Sequence, residues 1–217
     1  MGVSWIAEYR PDARETVIYD TAEPVFLPDT LTVLSWNIGY AGLGDDMDFF
    51  YDGGKRVRDS RRRTLENLRN IVAELRKADA DIMLLQEVDC DSHRSYGIRR
   101  WIRCAQFSGY VLSFAYNYRA VAYSAGSPMG RVGSGLVTLR GSSCYAQRVQ
   151  YPSAFPFPVR LFNLKRCLLA LQFRTAGGDT VLIGTHNTAY DAGGCAMPKC
   201  VFSAGCCDGC RARDRFW

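Results

Sequence analysis

The chain has 217 residues, of which 47% are apolar and 23% charged. That is enough apolar material for one buried core and too much for global disorder. The formal charge of +5 is too small to argue for nucleic-acid binding by itself. No apolar run reaches about 18 residues, so no transmembrane helix is predicted. Residues 1–14 carry Glu8, Arg10, Asp12 and Arg14 and lack an apolar stretch, which predicts no secretory signal and a cytoplasmic location.

Residues 1–30, with Pro11, Pro24 and Pro28, read as an irregular lead-in. Leu31 to Trp36 is short, apolar and β-branched, the pattern of a buried strand. Gly39, Gly42 and Gly44 then mark a loop. Lys55, Arg56, Arg58, Arg61, Arg62 and Arg63 form a basic run after an acidic stretch. It reads either as a phosphate-binding patch or as the solvated start of a helix, and the helical pattern that follows favours the second. Asp59 or Ser60 caps that helix, and Leu65, Leu68, Ile71, Val72 and Leu75 recur on one face.

Ala80 to Leu85 predicts a second buried strand, ending in Gln86-Glu87-Val88-Asp89. Strand, helix, strand in this order suggests a crossover unit. A helix is expected over 98–107. Short strands follow at 110–116, 135–139, 144–149, 168–173 and 180–184, with a hairpin turn at 175–179. The fold class is α/β with a mostly antiparallel second part. Of the nine cysteines, Cys90, Cys104, Cys144 and Cys167 read as ordinary thiols, whereas Cys195, Cys200, Cys206, Cys207 and Cys210 crowd the tail.

Three polar residues stand at the ends of apolar strands: Asn37, Glu87 and His186. Oxygen donors such as Glu87 and Asn37 suit Mg²⁺ or Mn²⁺, and an imidazole suits a phosphate oxygen. Taken singly, each has a plainer role: Glu87 as a helix cap, Asn37 as a turn residue, His186 as a structural histidine.

The segments holding these residues are Leu34-Ser-Trp-Asn37-Ile-Gly-Tyr, Asp81-Ile-Met-Leu-Leu-Gln86-Glu87-Val-Asp, Gly133-Ser-Gly135-Leu-Val-Thr-Leu-Arg140 and Leu182-Ile-Gly-Thr-His186-Asn-Thr-Ala-Tyr-Asp191. In order and in strand-end placement they resemble the endonuclease/exonuclease/phosphatase superfamily over residues 31–194. Phe49 to Lys55 and Asp91 to Tyr96 resemble a bacterial branch of it. The resemblance implies a two-sheet α/β sandwich with helices outside, incomplete at the C-terminus. It also implies a divalent-metal-dependent hydrolase of phosphoester bonds, of nuclease or phosphatase type. Glu87 would be the main ligand of Mg²⁺ or Mn²⁺, assisted by Asn37. His186 would steady the phosphate, and Asn117 would face the same cleft. The substrate would be a phosphoester, in a nucleic acid or a phospholipid headgroup, and the chain a monomer.

The family's water-activating Gly-Asp-x-Asn motif does not occur after Asp191, and His186 is the last histidine. Residues 195–217 show no useful periodicity and have the composition of a GC-rich gene read out of frame. A truncated or frameshifted chain with impaired activity and little packed structure in the tail is therefore expected. A zinc site from Cys200, Cys206, Cys207 and Cys210 is the rival reading of the tail. The alternative for the whole chain is a non-catalytic phosphate- or nucleic-acid-binding fragment.

Overall fold

The computed structural model describes residues 9–18, 26–27, 30–48, 53–56, 58–97, 110–120, 130–141, 145–150, 165–175, 180–186 and 200–205. The expected helix at 98–107 and the tip of the expected hairpin at 176–179 lie outside them.

Strand β3 (Val33–Asn37) leads into the 18-residue helix α1 (Arg61–Ala78), which returns the chain to strand β4 (Ile82–Asp89). β3 and β4 are parallel neighbours, with Val33 opposite Ile82 and Asn37 opposite Gln86. Ser60 caps the helix, its hydroxyl accepting from the Arg63 amide at 3.2 Å. At the other end Asp79 adopts a left-handed conformation and donates its amide to Leu75, while Arg76 and Lys77 face the negative end of the helix dipole. Leu68, Ile71 and Leu75 form the buried stripe of α1.

The four-stranded sheet runs β3-β4-β6-β5, where β5 is Val111–Ala120 and β6 is Val132–Arg140. β6 is antiparallel to both its neighbours. Met83, Leu85 and Val88 meet the stripe of α1 together with Val137 and Leu139. The alternate residues Ile82 and Leu84 face the other way, onto Ala146, Leu171 and Phe173 of a second sheet. β4 is thus enclosed on both faces, which is why Ile-Met-Leu-Leu is uniformly apolar.

That second sheet contains β1 (Arg14–Ile18), β7 (Tyr145–Gln150), β8 (Cys167–Thr175), β9 (Thr180–His186) and β10 (Cys200–Gly205) in the order β1-β7-β8-β9-β10, with β2 (Phe26–Leu27) beside the end of β8. The molecule is the expected two-sheet α/β sandwich, with α1 on the outer face of the four-stranded sheet. Arg148, fully buried on β7, links the two sheets by donating Nε to the Tyr116 carbonyl at 2.8 Å.

Two expectations change. Residues 14–18 and 26–27 lie in strands, not in an irregular lead-in. Residues 200–205 form β10, antiparallel to β9, where little packed structure was expected. The N-terminal strands pair with β7 and β8, far along the chain, and β10 pairs with the preceding strand β9 through its backbone; local periodicity records neither ladder. The rest of 195–217 lies outside the described residues, as do the side chains of the proposed zinc cysteines.

Two predictions arise from the sheet. A Cβ at Gly135 would sit 2.1 Å from the Ala115 carbonyl oxygen and 2.8 Å from the Phe114 ring. Gly135→Ala should therefore lower stability by about 3 kcal/mol, read as a lower urea midpoint with the slope unchanged. At the start of β4, the Asp81 carboxylate accepts from the Thr32 hydroxyl at 2.6 Å and the Thr32 amide at 2.8 Å. These bonds hold its pKa below the ordinary carboxylate value, the hydroxyl contributing most. A depressed folded pKa stabilises the protein above the unfolded value of about 3.9, and that stabilisation is lost as the pH falls through the folded value. The Tm difference between the wild type and Asp81→Asn should stay constant from pH 7 to about pH 5 and close below about pH 4. A difference that persists undiminished at pH 2 would contradict the clamp.

Candidate functional site at the carboxyl edge of β3 and β4

Where the apolar layers end, the backbone of β4 becomes irregular. Leu85 pairs with Val137 and Val88 with Gly135, so β4 carries one residue more than β6 across this step. Glu87, inside the bulge, has φ 54°. A side chain in the left-handed region costs about 1–3 kcal/mol unless its surroundings hold it there. The bulge decides where the carboxylate goes. In regular alternation Glu87 would follow Met83 and Leu85 into the apolar layer beneath α1. Instead Val88 fills that layer and is fully buried, and Glu87 is released to the half-buried edge.

Asn37, the last residue of β3, reaches Glu87 from the adjoining strand. Its Nδ2 donates to Glu87 Oε1 at 3.0 Å, and its Oδ1 accepts from the Gly39 amide at 3.0 Å. The second bond fixes the first: a backbone N–H only donates, so the atom facing it is the oxygen and the amide NH₂ faces Glu87. Among the described residues, Glu87 Oε2 accepts no hydrogen bond.

β5 has a matching irregularity. Tyr116 pairs with Gly135 and Tyr118 with Ser134, so Asn117 is the extra residue. Gly135 is therefore the shared partner of Val88 on one side and Tyr116 on the other, and both bulges flank this one glycine. Two strand spacings, roughly 10 Å, separate β4 from β5. Asn117 is 3% exposed, and its Oδ1 has no partner among the described residues. Its carbonyl accepts from the Lys165 amide at 2.6 Å. Burial pushes the Tyr116 hydroxyl up to about 12, reinforced by its hydrogen bond with Cys90 and opposed by Arg119.

His186 ends β9, in register with Leu168. The adjacent Cys167 points its Sγ at the Tyr116 carbonyl, 3.7 Å away. Burial raises that thiol to about 11, against the pull of Arg148. This contact sets the His186 end of the second sheet beside the Tyr116–Asn117 bulge. Asn37, Glu87 and Asn117 therefore stand along one edge of the four-stranded sheet, and the backbone of His186 stands at the same end of the sandwich. The His186 side chain lies outside the description.

Behind Glu87 sits a cluster whose members lie in the quoted segments but whose meeting the sequence does not show. Asp89 is 4% exposed and receives both Arg94 Nε at 3.0 Å and Arg94 Nη2 at 2.8 Å. The same guanidinium lies 3.8 Å from the centre of the Tyr40 ring. Burial disfavours the Arg94 charge, but Asp89 outweighs it, with a smaller contribution from Glu87, and the pKa is raised. The available signal was the neighbouring pair of segments, Glu87-Val-Asp89 and His93-Arg94-Ser95. Nothing in their spacing says that the chain turns back between them.

The basic run divides between partners and solvent. Arg63 pairs with Asp45 and Asp46 at 3.1 and 3.2 Å. Arg58 lies over the Tyr96 ring and donates to the His93 carbonyl. Lys55, Arg56, Arg61 and Arg62 are exposed.

For a cation, the donors are sparse. No group of three or more His, Cys, Asp or Glu side chains gathers among the described residues. Glu87, with one carboxylate oxygen unengaged, fits Mg²⁺ or Mn²⁺, which are held by one or two carboxylates with water and substrate phosphate completing the shell. Asn37 Oδ1 accepts one hydrogen bond, from Gly39, which leaves it one lone pair to offer a cation.

Residues 34–151 match the Endonuclease/Exonuclease/phosphatase family. A comparison with curated proteins found no match. Among solved structures, the chain is similar to an endonuclease/exonuclease/phosphatase from Beutenbergia cavernae DSM 12333, at 20% identity and a TM-score of 0.51, over 75% of this chain and 39% of that one. It is similar to ANGEL2, described as a 2',3'-cyclic phosphatase, at 21% identity and a TM-score of 0.46, over 74% of this chain and 41% of that one. It is also similar to the human Nocturnin catalytic domain, at 14% identity and a TM-score of 0.45, over 80% of this chain and 58% of that one. The chain thus spans between 39% and 58% of the length of these structures. Family match and two-sheet architecture agree, and the chain belongs to the Endonuclease/Exonuclease/phosphatase family.

Proposed function

We propose that residues 31–194 carry the cation-binding part of a phosphoester hydrolase site that uses Mg²⁺ or Mn²⁺. The observation that carries this reading is the Asn37–Glu87 pair: a carboxylate freed from the apolar layer by a left-handed bulge, with one oxygen held by Asn37 and the other unengaged among the described residues. Glu87 is the cation's ligand. Asn37 orients Glu87 through its NH₂ and assists the cation. The bound cation would polarise a phosphoryl oxygen and offset charge at the leaving oxygen. His186 and Asn117 serve the phosphate side, where positioned donors stabilise the oxygens as charge grows.

A second reading is supported by Lys55, Arg56, Arg61 and Arg62, which are exposed near the start of α1. They suit a nucleic acid or an anionic headgroup bound without turnover. Hydrolysis of a chromogenic phosphodiester with and without Mg²⁺ separates the two.

In the wild-type chain, Mn²⁺ binding followed by paramagnetic resonance should be saturable. Glu87→Gln should weaken it by about 100-fold or more, and Asn37→Ala by roughly 10-fold, as removal of groups that orient a ligand typically does. Equal binding by the wild type and Glu87→Gln would remove Glu87 from the site. Nucleic-acid binding with no Mg²⁺-dependent cleavage would favour the second reading.

A further inference from the structure

The edge that bears Glu87 and Asn37 is built from two loops in uncommon backbone conformations. Tyr40, Ala41, Glu87 and Tyr96 all have positive φ, between 42° and 59°. Such residues persist only where neighbours over-determine them. One side chain touches both loops. Arg94 grips Asp89, two residues after Glu87, through two parallel hydrogen bonds. Its flat face covers the buried ring of Tyr40, three residues after Asn37. Asp89 and Arg94 are nearly shielded from solvent, with side chains 2% and 13% exposed.

We propose that Arg94 is a positioning residue of the Glu87 site: by tying Asp89 to Tyr40 it fixes the two strand-end loops from which Glu87 and Asn37 meet. This rests on the reading of Glu87 as the cation's ligand. Only a guanidinium performs both tasks at once. Its planar fork matches the two Asp89 oxygens, and the same plane stacks on an aromatic ring; an ammonium group keeps the charge but does neither. Nothing in the contacts of Arg94 touches Asn37 directly, so its effect on the pair passes through the loop backbones.

The test compares Mn²⁺ binding by paramagnetic resonance in the full 217-residue chain as wild type, Arg94→Lys, Tyr40→Leu and Arg140→Lys, each well below its melting temperature. Arg140 is a fully buried guanidinium at the opposite end of the sheet, in register with Ile82 and Val111. Its substitution perturbs folding by similar chemistry without reaching the site. Arg94→Lys should weaken Mn²⁺ binding roughly 10–100-fold. Tyr40→Leu, which leaves the Asp89–Arg94 pair in place, should weaken it several-fold, and Arg140→Lys should leave it unchanged. Wild-type affinity in Arg94→Lys, or an equal loss in Arg140→Lys, overturns the proposal. If Arg94→Lys does not fold, Tyr40→Leu decides the matter, and wild-type affinity there overturns it. Absence of Mn²⁺ binding in the wild type sinks the reading of Glu87 and this inference with it. Wild-type binding that is lost in Glu87→Gln but kept in Arg94→Lys sinks this inference alone.

Discussion

Burial of β4 on both faces is the constraint around which the chain is arranged. Met83 and Leu85 must meet α1, and Ile82 and Leu84 must meet β7 and β8. A strand buried on both faces accepts a charge only where a partner compensates it, as Arg94 does for Asp89, so a carboxylate without a cationic partner is pushed to where the apolar layers stop. In β4 that point is Gln86. There the side chain amide is satisfied by Ser35 and the Leu84 carbonyl, and the next residue is Glu87. The position of the candidate site is thus a consequence of the core, since the edge of the sandwich is where a carboxylate without a cationic partner becomes tolerable.

The two bulges turn that edge into a shaped surface. They stand on either side of Gly135, whose missing side chain lets β5 and β6 approach closely. On β4 the bulge exchanges Glu87 for Val88 in the apolar layer. On β5 it inserts Asn117, whose backbone is then held by Lys165 and whose neighbour Tyr116 accepts from Arg148. Irregular pairing costs ladder hydrogen bonds, and here the second sheet supplies replacements. The sheet-to-sheet contacts and the geometry of the edge are parts of one structure.

Much of this was legible in the sequence, for identifiable reasons. Strands at 33–37, 82–89, 111–120, 132–140, 145–150, 167–175 and 180–186 each carry an apolar or alternating run, and α1 carries a stripe at helical spacing. Asn37 and Glu87 follow apolar runs directly, so a parallel crossover had to bring them to the same end. Strands 14–18 and 26–27 were not legible because their partners, β7 and β8, lie far along the chain, and 200–205 was not because Cys-Val-Phe-Ser-Ala-Gly carries no strand periodicity. Nor was the meeting of Asp89, Arg94 and Tyr40, which stand at the end of β4, in the turn after it and in the turn after β3, because spacing along the chain does not say that these three come together.

What the sequence by itself determined is therefore the alternation of apolar layers and the order in which polar residues leave them. It placed Glu87 and Asn37 at strand ends and Gly135 within a strand, because burial and chain direction are encoded residue by residue. Only the tertiary structure decided that Asn37 turns its NH₂, not its oxygen, toward Glu87, since that follows from the Gly39 amide taking the oxygen first. It also decided that Glu87 leaves the apolar face its parity assigns. One extra residue against β6 shifts the alternation, and register between strands is a property of their pairing, not of either strand alone.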